Sequence, residues 1–100
     1  MRYHYIVSYD IADPTRLRKV FNLCRGHGDH LQDSVFACQL SEMDHAILKE
    51  KLYDLINHKQ DMVMIIKICP VSGKGDKNIE KRLTTLGCQY TPRDLKRMIY

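Results

Sequence analysis

Tyr3-His-Tyr-Ile-Val-Ser-Tyr-Asp10 reads as a β-strand that ends on a carboxylate. Tyr3, Tyr5, Val7 and Tyr9 alternate with His4, Ile6, Ser8 and Asp10, which is the two-residue period of an extended chain. The first set is wholly apolar or aromatic. The second starts mixed and ends polar. Such a strand belongs in the middle of a sheet, and an acid at its tip is costly unless something uses it.

A helix follows at once. Asp13 is placed to cap it, and Pro14 suits its first position, where a missing N–H costs nothing. Leu17, Val20, Phe21 and Cys24 then recur at helical spacing and predict the buried face, with Arg18, Lys19 and Arg25 lying away from it. Gly26 or Gly28 can end this helix in a left-handed cap. His30–Leu40 is a second extended segment containing Val35-Phe36. Ser41, with Asp44 three residues on, opens a second helix whose apolar face is centred on Leu48, Leu52 and Leu55, with Ile47 and Ile56 at its margins. Asn57-His58-Lys59 ends it. Met62–Cys69 is apolar on both faces, the pattern of a strand buried on both sides, and Pro70 closes it. Residues 70–78 form a loop. Glu80–Leu86 is expected to be a short C-terminal strand stopped by Gly87, followed by a basic tail with a short helix starting near Thr91-Pro92.

The 100 residues make one domain, 1–100, with its core in 3–69 and the C-terminal strand and tail in 79–100. Two helices and an apolar sheet predict an α+β two-layer sandwich of the ferredoxin-like βαββαβ kind, with an antiparallel sheet and both helices on one face. Gly28–Ser41 must then hold two very short strands or one long bent one. Two helices cover one face of a sheet and not the other. The apolar residues left on the second face call for a partner, most simply a second copy of this chain.

The formal charge is +4, compatible with a polyanionic partner. No apolar run approaches the roughly 20 residues that cross a bilayer, and no basic stretch followed by an apolar run opens the chain. A cytoplasmic protein is expected. Cys24, Cys38, Cys69 and Cys88 form no C-x-x-C pair or zinc-ribbon spacing, so they read as reduced thiols.

Three pieces stand in register: Tyr9-Asp10-Ile11, the basic helix start Arg16-Leu-Arg-Lys-Val20, and Gln32-Asp-Ser-Val-Phe36. Together they resemble the CRISPR-associated protein 2 family, the small subunit of the spacer-acquisition machinery. The resemblance covers residues 3–69 and then thins to Leu86-Gly87. It implies a ferredoxin-like homodimer in which the first-strand Asp of each subunit faces its twin. It also implies Mg²⁺- or other divalent-metal-dependent endonuclease activity on RNA or DNA. The implied partner is the integrase subunit, CRISPR-associated protein 1, whose dimers the homodimer bridges while clamping a short DNA duplex. By position, Asp10 is the catalytic and metal-binding acid, with Tyr9 beside it. Arg16 and Arg18 match the nucleic-acid-binding helix start, and Ser34 and Phe36 match the supporting or interface string. Many members carry a basic residue just ahead of the Gln, where this chain has His30-Leu31.

The chemistry is consistent with that assignment. A hard cation prefers oxygen ligands, keeps several waters and often takes only one or two carboxylates. One Asp10 per subunit, doubled by a two-fold axis, supplies two. Their mutual repulsion, on the order of 1–4 kcal/mol in a wet interface, is relieved by a metal or a shared proton. The competing role for Asp10 is to accept backbone hydrogen bonds in the turn before Asp13. Asp13 itself fits a helix cap better than a second ligand. The basic residues can track phosphates without reading sequence. Those at the start of the first helix are favoured, because helix N-termini already attract phosphate. Gly73-Lys74-Gly75 lacks the spacing of a phosphate-binding loop, and His27-x-x-His30 lacks two further zinc ligands. Phe36 fits a core or interface position better than a base-stacking platform. The competing functions are a non-catalytic clamp serving the integrase, a toxin-like ribonuclease, and a ligand-sensing regulatory domain.

Overall fold

The structure, a computed structural model, describes residues 1–73, 78–84 and 86. Its elements are β1 (Arg2–Asp10), α1 (Pro14–Arg25), β2 (Gly28–Gln32), β3 (Val35–Ser41), α2 (Glu42–Leu55), β4 (Met62–Pro70) and α3 (Asn78–Arg82). The four strands form one antiparallel sheet in the order β2-β3-β1-β4. This is the ferredoxin-like βαββαβ arrangement, and β1 is central in it. The connection between the helices is two strands, β2 and β3, joined by a tight turn at Asp33-Ser34.

The caps form from the residues that announced them. Asp13 accepts from the Arg16 N–H at 2.9 Å, with Pro14 in the first turn of α1. Ser41 Oγ accepts from the Asp44 N–H at 3.1 Å and starts α2. Residue Gly26 ends α1 in a right-handed conformation, so the expected left-handed cap is not used. Gly28 is needed for another reason. A Cβ there would sit 2.5 Å from Cys38 Sγ and closer still to the Ala37 carbonyl oxygen, so β2 approaches β3 only because this residue has no side chain.

The core lies between the helices and one face of the sheet. Tyr5, Val7 and Tyr9 of β1 meet Phe36, Cys38 and Leu40 of β3, covered by Val20 and Cys24 of α1 and Leu48 and Leu52 of α2. Leu17 was expected in this core but is 40% exposed, while Val20 and Cys24 on the same helix are fully buried. Burial pushes the Cys24 thiol up to about 12 and the Cys38 thiol up to about 11. Both are free thiols, as is Cys69. Cys88 lies outside the described residues.

The opposite face of the sheet is covered at His4, which is 2% exposed, half-buried at Ile6 and Ser8, and exposed along β4. Ile6 pairs with Ile66, Ser8 with Met64 and Asp10 with Met62, so these side chains share one surface. Met62, Met64 and Ile66 are 56%, 50% and 47% exposed. Strand β4 was expected to be buried on both sides. Among the described residues it is instead an edge strand, with Met62, Met64 and Ile66 about half exposed. A register shift between His4 and Tyr5 bends the far end of the β1–β4 pair. A second expectation also changes. Residues 78–82, assigned to a C-terminal strand and the loop before it, form helix α3, and residues 83, 84 and 86 are not in a strand. Asn-Ile-Glu-Lys-Arg has no apolar alternation, and Glu, Lys and Arg are good helix formers. Gly87 and the tail from Thr91 lie outside the described residues.

Candidate functional site

Asp10 is exposed at the tip of the central strand. Pairing with β3 ends at Ser8–Val35, but pairing with β4 continues to Asp10–Met62. The acid therefore stands past the β3 side of the sheet, on the face opposite the core, with its backbone held from β4.

Tyr9, Ser34 and Phe36 converge behind it. The Tyr9 N–H donates to the Ser34 carbonyl at 3.1 Å, which ties the strand end to the β2–β3 turn. The Tyr9 hydroxyl donates to the Asp33 carbonyl at 3.3 Å. Its ring stacks on Phe36 at 6.2 Å, and only 4% of the residue is exposed. The Phe36 ring is fully buried, stacked on His30 at 4.8 Å and edge-on to Phe21 at 5.4 Å. Tyr9 and Phe36 are thus the floor of the site and offer no face for a nucleotide within this chain.

His30, at the position where many relatives are expected to be basic, is fully buried between Phe21 and Phe36. Neither ring nitrogen has a hydrogen-bond partner. It is therefore a core ring here and does not reach a phosphate. His27 goes elsewhere, its Nδ1 pairing with the Leu23 carbonyl at 2.9 Å.

The two basic residues of the α1 start separate. Arg18 is exposed. Arg16 turns instead toward the residues just before β4. Its Nε lies 2.8 Å from Asp61 Oδ2, and its Nη2 lies 3.3 Å from Asp61 Oδ1 and 3.1 Å from Gln60 Oε1. Asp61 also accepts the Ala12 N–H at 2.9 Å and the Asn57 N–H at 2.8 Å, and its side chain has no exposed surface. The Arg16 guanidinium, followed by those two amides, holds the Asp61 carboxyl well below the usual carboxylate range against the opposing effect of burial. Arg16 is raised in turn, chiefly by its hydrogen bond to Asp61.

Asp61 is the residue that sequence reasoning missed. It lies 45 positions from Arg16, and no local pattern links them. Its only local signal is an acid set immediately before the apolar run of β4.

Known proteins share this sequence and shape. The family model described as CRISPR associated protein Cas2 matches residues 1–73. The chain is 32% identical over 92 residues to the CRISPR-associated endoribonuclease Cas2 of Geobacter sulfurreducens, covering 92% of each chain. It is 39% identical over 70 residues to the CRISPR-associated endonuclease Cas2 2 of Thermus thermophilus, covering 70% of this chain and 74% of that one. The crystal structure of Streptococcus pyogenes Cas2 matches with a TM-score of 0.71 at 30% identity, covering 84% of this chain and 99% of the other. A strand-tip acid, a basic helix start and a short β2–β3 turn thus occur in a chain that belongs to the CRISPR associated protein Cas2 family.

Proposed function

We propose that this protein is a divalent-metal-dependent endonuclease of CRISPR spacer acquisition. It works as a homodimer on RNA or DNA, together with the integrase subunit, CRISPR-associated protein 1. The observation that carries the reading is the placement of Asp10. It is exposed at the end of the central strand, on a sheet face where Met62, Met64 and Ile66 are about half exposed beside the half-buried Ile6. Closing that face with a second copy buries the apolar surface and brings two Asp10 side chains toward one axis. Family membership and the nuclease names of the relatives point the same way.

The donor set fits a hard cation. Asp10 offers carboxylate oxygens. Asp13 is spent on the α1 cap and Asp61 on four N–H donors. Among the described residues no cluster of three His, Cys, Asp or Glu exists within one chain. A site of one carboxylate per subunit suits Mg²⁺, which takes few protein ligands and keeps its waters. When bound, the metal polarises the phosphodiester and acidifies a water. The chain's own part is to hold Asp10 rigidly, through strand pairing and the Tyr9–Ser34 bond behind it. Arg18 neutralises backbone phosphate from the exposed side of α1. The reduced thiols Cys24 and Cys38 suit a cytoplasmic setting.

One observation favours a second reading, a non-catalytic clamp for the integrase. Tyr9 is buried and Arg16 is committed to Asp61, which removes two candidate participants from the chemistry. Asp10→Asn tests both readings. Under the first, the purified variant keeps its fold but loses Mg²⁺-dependent, EDTA-sensitive cleavage of RNA and duplex DNA. Cleavage that persists at the wild-type rate removes Asp10 from the reaction. Spacer acquisition that continues in cells carrying the same variant favours the clamp.

A further inference from the structure

Asp61 accepts four N–H donors while exposing none of its side chain, and those donors come from three different parts of the chain. They are the Ala12 amide after β1, the Arg16 guanidinium in the first turn of α1, and the Asn57 amide after α2. Ala12 lies two residues beyond Asp10. Met62, next to Asp61, is the strand partner of Asp10 itself. The acid at the tip is therefore held at two points by neighbouring residues: from Met62 by strand pairing, and through Ala12 by the Asp61 carboxylate. Asp13 holds the same stretch from beyond by accepting the Arg16 N–H at 2.9 Å. Arg16 thus has its backbone on one acid and its side chain on another.

We infer that Asp61 is a positioning residue that fixes the direction of the Asp10 side chain, and that Arg16 serves this clamp instead of a phosphate. The inference rests on the metal-site reading of Asp10. Three Arg16 hydrogen bonds, two to Asp61 and one to Gln60, occupy Nε and both hydrogens of Nη2. Two donors on Nη1 remain, but the Arg16–Asp61 pair carries no net charge. A neutral pair meeting a phosphate releases little of the counterion atmosphere that drives backbone binding. Arg18, one position beyond Leu17 and exposed, carries a charge of the kind that does. The two arginines of one motif therefore have different work: Arg18 meets the nucleic acid and Arg16 keeps the acid in place.

The test compares Arg16→Gln, Asp61→Asn, the double variant and Arg18→Gln with the wild-type chain. Three quantities are measured well below each unfolding midpoint: kcat and KM for Mg²⁺-dependent cleavage, the salt dependence of duplex binding in EDTA, and the amide spectrum by ¹H–¹⁵N NMR. The expected result is that Arg16→Gln and Asp61→Asn each lower kcat by about 10²-fold, as misplacement of a reacting group does, with KM unchanged. The double variant falls no further than either single one. The slope of log K against log salt stays at the wild-type value in both, whereas Arg18→Gln reduces its magnitude by about 0.9, the loss of one phosphate contact on duplex DNA. Arg16→Lys, which can still reach one Asp61 oxygen, recovers part of the lost kcat. A slope reduced by about 0.9 in Arg16→Gln but not in Asp61→Asn would make Arg16 a phosphate ligand and overturn the inference. If the wild-type chain neither cleaves nor binds, the proposed function fails, and the spectra still decide the clamp. Both single variants must then move the Asp10 and Ala12 amide resonances and speed exchange at Ala12. Unmoved resonances refute it.

Discussion

Phe36 sits in the motif that carried the family resemblance, yet its role here is packing, and a single substitution shows this. The ring is fully buried, with His30 at 4.8 Å, Phe21 at 5.4 Å and Tyr9 at 6.2 Å. Leu in its place keeps most of the apolar volume but forfeits the ring contacts, each worth about 0.5–1.5 kcal/mol beyond area burial. Counting only the two closer rings gives a loss of about 1–3 kcal/mol. For a domain of this size each kcal/mol moves the midpoint by about 4–8 °C. Phe36→Leu should then melt roughly 4–24 °C below the wild type, while remaining folded at room temperature on a total stability of about 5–15 kcal/mol. The assay is thermal unfolding at fixed chain concentration, paired with cleavage and duplex binding at room temperature. Melting should drop while duplex affinity and the salt slope stay put. An unchanged midpoint together with lost duplex binding would show that the ring touches nucleic acid, and the packing argument would be wrong.

Met64→Lys on the sheet face opposite the core should shift the chain from a species of twice its mass to the 11.8 kDa monomer in sedimentation at micromolar concentration. Met62, Met64 and Ile66 are each about half exposed, and burying the remainder is worth about 1 kcal/mol per side chain; a variant that keeps the doubled mass would place the interface elsewhere. Because Asp61 is depressed in the folded state, the stability it contributes is present above its ordinary 3.8 and is lost as pH falls below that value. Urea unfolding of Asp61→Asn should therefore show a flatter acid limb than the wild type, and parallel limbs would contradict the clamp. The thiols run the opposite way: Cys24 and Cys38 are raised from 9.0 to about 12 and about 11, so their contribution is complete below pH 9 and is lost as pH rises toward those values. A thiol reagent at pH 8 should leave both unlabelled until guanidinium unfolds the chain, and rapid labelling of Cys38 in the native state would show that β3 opens.

Local chemistry carried much of the fold into view. The alternation of Tyr3–Asp10, the Asp13-Pro14 start and the Ser41–Asp44 cap are each decided by residues within a few positions of one another, and each formed as its sequence implies. The departures have non-local causes. Strand β4 is apolar on both faces whether it is central or at an edge, so its place in the sheet is not written in its own composition. Leu17 keeps helical spacing with Val20, but spacing gives the face of a helix and not how far the neighbouring elements cover it. Asp10 was legible as an acid at a strand end and Arg18 as a basic residue on the outer face of α1, and both are exposed. The fate of Arg16 was not legible, because helix periodicity places a residue on a helix and cannot name a partner on another part of the chain. His30 was legible as a departure from the family pattern, but its place between Phe21 and Phe36 was not.

The Arg16–Asp61 clamp also has a consequence for how the molecule forms. Its members are 45 residues apart, and β1, the first strand made, gains its second neighbour only from β4, the last strand of the sheet. Loop closure of that length must precede the contacts that repay it, which makes such pairings late events in folding. A chain ending before Asp61 holds the partners for β1–β3 pairing and for the Tyr9–Ser34 bond, yet it lacks both the Asp61 carboxylate and the β4 neighbour of Asp10. The stretch from Asp10 to Ala12 is therefore fastened on its β4 side only after the chain has closed on itself.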